Sequence, residues 1–549
     1  MKIFYTTILL SFAFGACAQV NTGITAQQLT RLAEIATQDV PPRAPGIATG
    51  VVIDGKVVFK KYAGYANLND SVLIGPQSRF NMASNGKQFT ALAVLLLADQ
   101  QKLKLDDDIR NYFLNLLPAV KEKISIQNLL THTSGIRDVY DLWSLQGITW
   151  WKQTFSNTDA FALLLRQQEL NFTPGTRYSY SNSNYMLLAL LVEKVSGESF
   201  VVYTTKMFRA LNMPHTSFES DYKNIQEPIA RPYFNFDTWT TYNWITNMHG
   251  DGNLFSTLED QLTWEQTIQS GKSKFIPKRV LEQSQQLSES GLTDQYGYGL
   301  EFGTYRGIPY RFHEGATGAW KATVVRFPEK NMSIVTLTNS GKTIPSMQTR
   351  QAADVLLNLE DQRETFLIAP EKAGAFVAID DVPGSYQNEN NFTFTFEKRD
   401  TSLFLIRSGR NDIRLERESV NVFHQWNDPA FKQEFTYNAK GELQVTAYYT
   451  THAPYTLTRA SADWSGFDYN ALNGKYTNDE TGVSFKIRHR ASFQYEIRMR
   501  DETAVATLLT PHKLLFRNYG VEILTDSRGQ VTQLLLSGDR IQAVRFTRK

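Results

Sequence analysis

The sequence predicts an α+β fold, in which an antiparallel sheet flanked by helices and joined to a helical lobe is followed by two small all-β domains. Strand-like segments occur at both ends of roughly the first 360 residues, and helical segments lie between them. Such an order brings distant strands into one sheet and leaves a cleft beside the helical lobe. Further along, a sequence pattern recurs after about 90 residues, which indicates two copies of one small unit.

The composition is that of a water-soluble globular protein and excludes several classes of function. A chain of 549 residues is too long for one ordinary domain. The 57 basic and 55 acidic residues leave a net charge of +2, so we expect no nucleic-acid partner. The single cysteine, Cys17, cannot form an intrachain disulfide. No apolar run beyond the N-terminus reaches the roughly 20 residues that a membrane-spanning helix needs.

The N-terminus has the pattern of an export signal. Lys2 precedes an apolar stretch at residues 3–16, and small residues lead up to Ala18. This pattern predicts a signal peptide at residues 1–18 that is cleaved after Ala18. The alternative is lipid attachment at Cys17. We therefore expect an exported protein, periplasmic or secreted, with no transmembrane segment in the mature chain.

The first region is expected to form one domain at residues 24–365. Asp54 and Gly55 separate two runs rich in β-branched residues, as the tight turn of a hairpin would. Capping residues and turn residues bound the remaining apolar segments. The predicted elements are a helix at 25–36, strands at 50–53 and 56–59, helices at 89–101 and 185–196, strands at 297–303, 322–327 and 332–338, and a helix at 346–359.

The second region is predicted to contain two all-β domains, at residues 376–460 and 467–549. Two patterns recur at nearly the same offset, which implies duplication of a complete unit. Residues 384–389 (Gly-Ser-Tyr-Gln-Asn-Glu) are similar to residues 474–479 (Gly-Lys-Tyr-Thr-Asn-Asp), and residues 455–459 are similar to residues 544–548. Each unit is long enough for a small closed barrel, which would leave no unpaired strand edge.

Ser84 and Lys87 form the most informative motif in the chain. They directly precede a nearly continuous apolar run at residues 89–98, which indicates a buried helix. Residues three apart share one helix face, so the amine can reach the hydroxyl. A buried lysine that loses its charge can remove the proton from a serine hydroxyl and make it a nucleophile. The alternative is a helix cap at Ser84 and a surface lysine at position 87.

Two further segments carry polar groups beside expected elements. Tyr180 and Asn182 follow a turn and directly precede a predicted helix, and His313 and Gly315 precede a predicted strand. Taken singly, each has an ordinary explanation: a core tyrosine, or a histidine that is hydrogen-bonded for structural reasons. A second Ser-x-x-Lys, at 220–223, lies in a polar stretch and is interpreted as solvated surface.

Taken together, these segments resemble the family of class C β-lactamases, D-alanyl-D-alanine carboxypeptidases, D-aminopeptidases and related esterases. Residues 129–136 (Leu-Leu-Thr-His-Thr-Ser-Gly-Ile) and 252–257 (Gly-Asn-Leu-Phe-Ser-Thr) are also similar to that family. The resemblance covers residues 40–360 and implies a β-lactamase/D,D-peptidase-like catalytic domain. By analogy with the D-aminopeptidases, it implies lipocalin-like barrels for the two repeats. The sequence contains neither a Gly-x-Ser-x-Gly elbow nor a metal-ligand motif, so we expect no cofactor and no metal site.

The resemblance implies a role for each of three catalytic residues. Ser84 would attack a carbonyl group and form an acyl-enzyme. Lys87 would act as the base, which requires burial to lower its pKa by about 3 units. Tyr180 would relay the proton to the leaving group and later take one from water.

Four other residues would bind the substrate or its oxyanion. Asn182 would donate to the substrate amide, and His313 and Gly315 would lie on the strand that borders the substrate. The main-chain N–H groups of Ser84 and Ala316 would form the oxyanion hole.

His313 occupies a position at which many relatives have lysine. Histidine is mostly neutral at pH 7 and therefore suits a carboxylate less well. We expect a small ester, amide or peptide substrate without an essential carboxylate, peptidoglycan-derived compounds included, and no efficient β-lactam hydrolysis. The sequence leaves D-aminopeptidase, D,D-peptidase and esterase activity open.

Two other functions remain as alternatives. In the first, the chain has the fold of the family but no catalytic activity, and it serves as a binding or scaffold protein of the cell envelope. The repeats would be the functional part if they bound glycan, although they show no evident set of aromatic and acidic residues for that purpose.

Overall fold

The computed structural model describes most of the chain. Residues 24–359 are described except 149–151, 236–237, 289–290, 292 and 294, and residues 375–549 except 389–391, 408–410, 427, 449–453, 461–464, 492 and 501. The signal peptide expected at residues 1–18 lies outside the described residues.

The first region contains short strands, one long sheet and a helical lobe. Its helices are α1 (Ala26–Thr37), α2 (Lys87–Asp99), α3 (Ile126–Leu130), α4 (Val139–Leu145), α5 (Asn157–Leu164), α6 (Asn182–Ser196), α7 (Phe200–Ala210), α8 (Leu258–Ser270), α9 (Lys278–Gln283) and α10 (Pro345–Leu357). Its strands are β1 (Ile47–Ile53), β2 (Lys56–Ala63), β3 (Tyr65–Asn67), β4 (Val72–Leu73), β5 (Phe80–Asn81), β6 (Ser217–Phe218), β7 (Tyr233–Asn235), β8 (Trp239–Thr241), β9 (Leu254–Ser256), β10 (Glu301–Tyr305), β11 (Ile308–Thr317), β12 (Trp320–Phe327) and β13 (Met332–Thr338).

The main sheet joins the two ends of this region, as the sequence predicted. Its six strands lie in the order β10-β11-β12-β13-β1-β2, and all neighbours are antiparallel. The β1–β2 hairpin turns at Asp54 (φ 50°) and Gly55 (φ 71°), the left-handed pair that a two-residue hairpin turn requires. The α+β class is therefore confirmed.

The helices follow the sequence patterns with small differences at their ends. The helix expected at 89–101 is α2, which starts earlier, after a 3-10 turn at Ala83–Gly86. Buried residues occupy nearly its whole length, so α2 is the central helix of the lobe. The helix expected at 185–196 begins at Asn182, and that expected at 346–359 ends at Leu357, because Asn358 adopts a left-handed conformation (φ 57°).

The strand expected at 297–303 is shorter than predicted. It begins at Glu301 as β10, since Gly299 has φ +78° and turns the chain directly against the first turn of α2. A Cβ atom at Gly299 would lie 2.4 Å from the backbone nitrogen of Gln88. This close approach needs glycine and excludes a regular strand at this point.

Each repeat forms a closed eight-stranded barrel. The strands of the first are β14 (Gly384–Gln387), β15 (Thr393–Arg399), β16 (Ser402–Ile406), β17 (Ile413–Arg417), β18 (Val422–Gln425), β19 (Asp428–Tyr437), β20 (Leu443–Tyr448) and β21 (Tyr455–Arg459). Those of the second are β22 (Gly474–Asn478), β23 (Val483–Ala491), β24 (Gln494–Met499), β25 (Glu502–Thr510), β26 (Lys513–Phe516), β27 (Tyr519–Thr525), β28 (Val531–Ser537) and β29 (Val544–Arg548).

The recurring sequence patterns are the strands that close each barrel. Tyr386 pairs with Arg459 across β14 and β21, and Tyr476 pairs with Arg548 across β22 and β29. The tyrosine hydroxyl donates to a main-chain carbonyl four residues earlier in both barrels, at 2.7 and 3.1 Å. The repeat therefore marks equivalent closure points of two related barrels.

The second barrel packs directly on the first region. Arg137, whose side chain is 1% exposed, donates to Glu480 at 2.6 Å. Gln146 donates to the carbonyl of Thr481 at 2.6 Å, and Arg166 to that of Asp479 at 2.7 Å. In the part of the chain that the structure describes, no helix is both long and apolar enough to cross a membrane.

Candidate active site

Ser84 lies in the 3-10 turn between β5 and α2. Asn85 anchors this turn by donating to the carbonyl of Ala322 at 3.1 Å, and Met82 donates to the carbonyl of Leu254 at 2.7 Å. Ala83 has a positive φ of 47°, a strained conformation for a residue with a side chain. The strained and anchored turn exposes the Ser84 hydroxyl to a large cavity.

Lys87 is fully buried and contacts the Ser84 hydroxyl. Its Nζ lies 3.1 Å from Ser84 Oγ, 2.9 Å from Asn182 Oδ1 and 2.5 Å from the carbonyl oxygen of Asp251. Burial lowers the pKa of the Lys87 ammonium from 10.5 to about 7, and the nearby Asp251 carboxylate limits the drop. A substantial fraction of the amine is therefore uncharged at neutral pH and can accept a proton.

Tyr180 lies beside both groups. Its hydroxyl is hydrogen-bonded to Ser84, and its ring centroid is 4.9 Å from Lys87 Nζ. Burial raises the pKa of the Tyr180 hydroxyl well above its usual value, so it is protonated at neutral pH. The ring of His132 packs against it with centroids 4.3 Å apart. The hydroxyl is thus positioned to pass a proton without being a base on its own.

Asn182 lies in the site, but its side chain is engaged with protein groups. Its Oδ1 accepts from Lys87, and its Nδ2 donates to Asp138 Oδ2 at 2.9 Å. Asp138 Oδ2 also accepts from the main-chain N–H of Asn182 at 2.7 Å. The sequence-based interpretation gave Asn182 the substrate amide as its partner. The structure shows contacts with Lys87 and Asp138 and places Asn182 in the cavity lining, so the contact with substrate stays a prediction.

Asp251 and Tyr140 also contribute to the site, and the sequence reasoning missed them. The carbonyl of Asp251 is the shortest contact of Lys87 Nζ, and Tyr140 Oη donates to Asp251 Oδ2 at 3.0 Å. Asp251 directly precedes the stretch at 252–257 that resembled the family, which is the one signal that pointed towards it.

His313 is buried and neutral. Its Nε2 lies 3.0 Å from Tyr296 Oη, and its Nδ1 lies 2.8 Å from the carbonyl oxygen of Glu314. Burial, together with the nearby Lys87 charge, lowers the pKa of the His313 ring to about 3. His313 therefore carries no charge with which to attract a substrate carboxylate.

Gly315 and Ala316 lie on the part of β11 that faces Ser84. The register of β10 with β11 ends where Glu301 opposes Phe312, so the following residues border the cavity. A Cβ atom at Gly315 would lie 2.3 Å from the carbonyl oxygen of Met82 and 3.1 Å from the Ser84 nitrogen. Glycine thus lets β11 approach the turn that carries Ser84.

The cavity that contains Ser84 has a volume of about 1810 Å³ and is bordered by all three parts of the protein. Phe392 and Tyr455 of the first barrel and Asp539 and Arg540 of the second barrel line it. The guanidinium carbon of Arg540 lies 5.0 Å from the centroid of the Tyr180 ring. No sequence pattern near these four residues pointed to a role in the site.

The second Ser-x-x-Lys has a different environment. Lys223 is exposed and lies in a short 3-10 turn, Tyr222–Asn224, that contains no buried residue. The serine and lysine at 84 and 87 differ from it because a buried helix follows them.

Comparison with known proteins identifies similar chains. The sequence model of the β-lactamase family matches residues 32–359. The chain is 29% identical over 314 residues to Protein flp of Staphylococcus aureus (strain NCTC 8325 / PS 47), and 28% identical over 306 residues to a D-aminopeptidase of Brucella anthropi. Both matches cover 54% of this chain, which spans 59% and 56% of the lengths of these relatives.

Solved structures share the fold over a larger part of the chain. The octameric penicillin-binding protein homologue from Pyrococcus abyssi superposes with a TM-score of 0.57 at 22% sequence identity. The match covers 78% of this chain and 99% of that one. This likeness concerns the fold, and together with the two closed barrels it confirms the predicted architecture.

Proposed function

The chain belongs to the β-lactamase family, and from that premise we propose that it is an exported serine hydrolase that cleaves an ester or amide bond through an acyl-enzyme on Ser84. The contact between Ser84 Oγ and Lys87 Nζ, 3.1 Å, carries this proposal. It supports catalysis because the amine is buried and has a pKa of about 7. Export rests on the pattern at the N-terminus.

Acylation uses Lys87 as the base. Its neutral amine takes the proton of Ser84 as Oγ attacks the substrate carbonyl and forms the new C–O bond. Tyr180, hydrogen-bonded to Ser84, then gives its proton to the leaving group as the bond to that group breaks, and the Lys87 ammonium passes the former serine proton to Tyr180. Such proton transfers typically accelerate a reaction by about 10²–10⁴-fold.

Two main-chain N–H groups, those of Ser84 and Ala316, stabilise the negative oxygen. The close approach of β11 at Gly315 supports this role, because it brings the strand edge against the turn of Ser84. One such donor contributes about 3–4 kcal/mol to the stabilisation of the transition state.

Asn182 and Asp251 act as positioning residues. Their oxygens hold Lys87 Nζ at 2.9 and 2.5 Å, so the amine stays aimed at Ser84. In deacylation, water attacks the acyl carbonyl and gives one proton through Tyr180 to Lys87. The bond from the acyl carbon to Ser84 Oγ then breaks, the proton returns to Oγ, and the acid product departs.

The substrate is a small ester, amide or peptide, and a peptidoglycan-derived compound is one example. The similarity to a D-aminopeptidase supports a peptide or amide. We expect no efficient β-lactam hydrolysis, because His313 is neutral and offers no cation on β11. The catalytic domain, proposed at residues 24–365, receives cavity walls from both barrels, proposed at 376–460 and 467–549.

A fluorophosphonate probe tests the proposal, because it labels only a serine that is activated as a nucleophile. We expect labelling at Ser84, identified by peptide mass spectrometry, and its loss in Ser84→Ala. Ser220→Ala is the matched control, since Ser220 belongs to the exposed Ser-x-x-Lys. Assays with p-nitrophenyl esters and with D- and L-amino-acid amides then separate esterase from amidase activity.

A folded protein that is neither labelled at Ser84 nor active on any of these compounds would contradict the proposal. That result would favour the alternative, a catalytically silent binding or scaffold protein of the cell envelope.

A further inference from the structure

The loop that joins β28 to β29 of the second barrel projects into the catalytic cleft. The carbonyl of Arg540 accepts from the main-chain N–H of Asp138 at 3.2 Å and from Asn171 Nδ2 at 2.9 Å. Asn171 Oδ1 in turn accepts from the N–H of Gln542 at 2.7 Å. The cleft and the barrel are therefore connected through the main chain of this loop.

The loop is also held from inside the barrel. Ile541 is fully buried, and its carbonyl accepts from the N–H of Gly538 at 2.7 Å. The buried Arg137 donates to the carbonyl of Gln542 at 3.2 Å. These anchors use main-chain atoms and the side chains of Asn171 and Arg137, so the hydrogen bonds described here hold the loop without the guanidinium of Arg540.

Within the described part of the chain, the guanidinium of Arg540 makes no hydrogen bond to protein, and it faces the cavity. About a third of the side chain (37%) is exposed, and it lines the same cavity as Ser84. Among the described residues, its one acidic contact is long, with Nε 3.9 Å from Asp539 Oδ2. A guanidinium has five N–H donors, and a carboxylate can accept two of them side by side.

The carboxylates near Arg540 are occupied by other donors. Asp138 Oδ1 and Oδ2 accept from the N–H groups of Tyr140 and Asn182, at 2.9 and 2.7 Å. The carboxyl of Asp141 accepts from the main-chain N–H of Arg540. These acidic groups stabilise the arginine charge in the cleft, but they leave its donors directed to the cavity.

We propose that Arg540 binds a carboxylate on the leaving group of the substrate, so that the second barrel supplies the anion-recognition site of the catalytic domain. This proposal rests on the proposed function, in which Tyr180 delivers the proton to the leaving group. Arg540 lies over the ring of Tyr180, at 5.0 Å from its centroid, and is therefore placed on the leaving-group side.

The proposal departs from the sequence-based expectation of a substrate without an essential carboxylate. That expectation depended on the absence of lysine at position 313. The structure places a permanent cation at another wall of the cavity, on a segment more than 200 residues away in sequence. The expected substrates are therefore peptides, or esters of the same shape, whose departing part ends in a free carboxylate.

Two aryl esters that differ by one charge test the proposal on the full-length protein. The N-phenylacetylglycyl ester of 3-hydroxybenzoic acid releases an anionic phenol, and that of 3-hydroxybenzamide releases a neutral one of the same shape. We expect the wild-type protein to prefer the acid. Arg540→Gln should lower kcat/KM for the ester of 3-hydroxybenzoic acid by on the order of 10- to 100-fold. Its kcat/KM for the ester of 3-hydroxybenzamide should stay within about twofold of the wild-type value.

Matched variants exclude indirect effects. Arg540→Lys keeps the charge and should retain part of the preference, and Arg528→Gln removes a cation from an exposed turn of the same barrel and should change neither ester. An equal loss on both esters in Arg540→Gln would overturn the proposal, because it would indicate an effect on Tyr180 or Lys87. Unchanged rates on both esters, or no preference in the wild type, would also overturn it.

Labelling separates this proposal from the proposed function. Failure of the fluorophosphonate to label Ser84 contradicts the serine hydrolase itself. If Ser84 is labelled but neither ester is cleaved, protection from labelling replaces turnover as the readout. In the wild type, free 3-hydroxybenzoate should then slow labelling of Ser84 more than 3-hydroxybenzamide does. In Arg540→Gln the two compounds should slow labelling to the same extent. Equal protection in the wild type would overturn the carboxylate site.

Discussion

The hydroxyl of Tyr296 lies 3.0 Å from Nε2 of His313, and the other ring nitrogen of this histidine contacts a main-chain carbonyl oxygen. Both ring nitrogens of His313 are thus engaged within the protein. Burial lowers its pKa to about 3, so its charge does not change near neutral pH. A group that titrates near pH 7 in this site must therefore be another residue. Lys87 has a pKa of about 7, and burial raises the pKa of the Asp141 carboxyl to about 7 and that of the Glu301 carboxyl to about 8; of these three, Lys87 is the one that contacts Ser84 Oγ.

The first prediction concerns the pH dependence of activity. Lys87 acts in its neutral form, so kcat/KM for a neutral ester should rise with pH through about 7 and level off above it. His313→Gln should keep this rise at the same pH, even if the rate itself falls. A rise that disappears in His313→Gln would assign the titration to the histidine and contradict the base role of Lys87.

The second prediction concerns the amine itself. Lys87→Met keeps an apolar chain of similar length in the buried site but removes the base. We expect kcat for ester hydrolysis to fall by about 10²–10⁴-fold, and fluorophosphonate labelling of Ser84 to slow in parallel. Lys223→Met, in the exposed second motif, is the control and should behave as the wild type.

The third prediction distinguishes two tyrosines that both line the cavity. Tyr180→Phe removes the hydroxyl that is bonded to Ser84 and should lower kcat by about 10²-fold or more with little change in KM. Tyr178→Phe, on the same segment, should have a much smaller effect on kcat. Similar losses in both variants would mean that the hydroxyl of Tyr180 has no specific role.

The fourth prediction tests the approach of β11 to the nucleophile. Gly315→Ala would place a methyl group 2.3 Å from the carbonyl oxygen of Met82, so the strand must move away from Ser84. Activity should fall by about 10²-fold, as when one oxyanion donor is lost. Gly75→Ala is the control, because nothing lies within 4 Å of a Cβ there. Full activity of Gly315→Ala would show that the strand does not supply a donor.

The fifth prediction concerns the attachment of the second barrel. Arg137→Met leaves the carboxylate of Glu480 without its buried partner, which should destabilise the barrel contact by about 3 kcal/mol. Limited proteolysis should then cleave between the barrels faster, and the preference for the anionic ester should weaken. Arg166→Met, which removes a more exposed contact of the same interface, should have a smaller effect. Unchanged protease resistance in Arg137→Met would contradict this role for the ion pair.

The sequence by itself predicted the architecture, and it identified Ser84 and Lys87 as the proposed nucleophile and base. Ser84 and Lys87 are three residues apart at the start of a buried helix, and adjacency along a helix follows from local geometry. The repeat likewise depends on recurring residues in strands that pair within one barrel, such as Tyr386 with Arg459. In both cases the two residues that contact each other belong to the same helical segment or to the same barrel, so a pattern within that part of the sequence is enough to predict the contact.

Only the tertiary structure decided which groups complete the site. The carbonyl of Asp251 reaches Lys87 because β9 packs beside β5, and the Oδ1 of Asn182, which also lines the cavity, is turned towards the amine because Asp138 holds this side chain. Arg540 lies over Tyr180 because a barrel packs on the cleft. A local sequence pattern cannot predict these contacts, because they depend on how segments far apart in the sequence pack against one another.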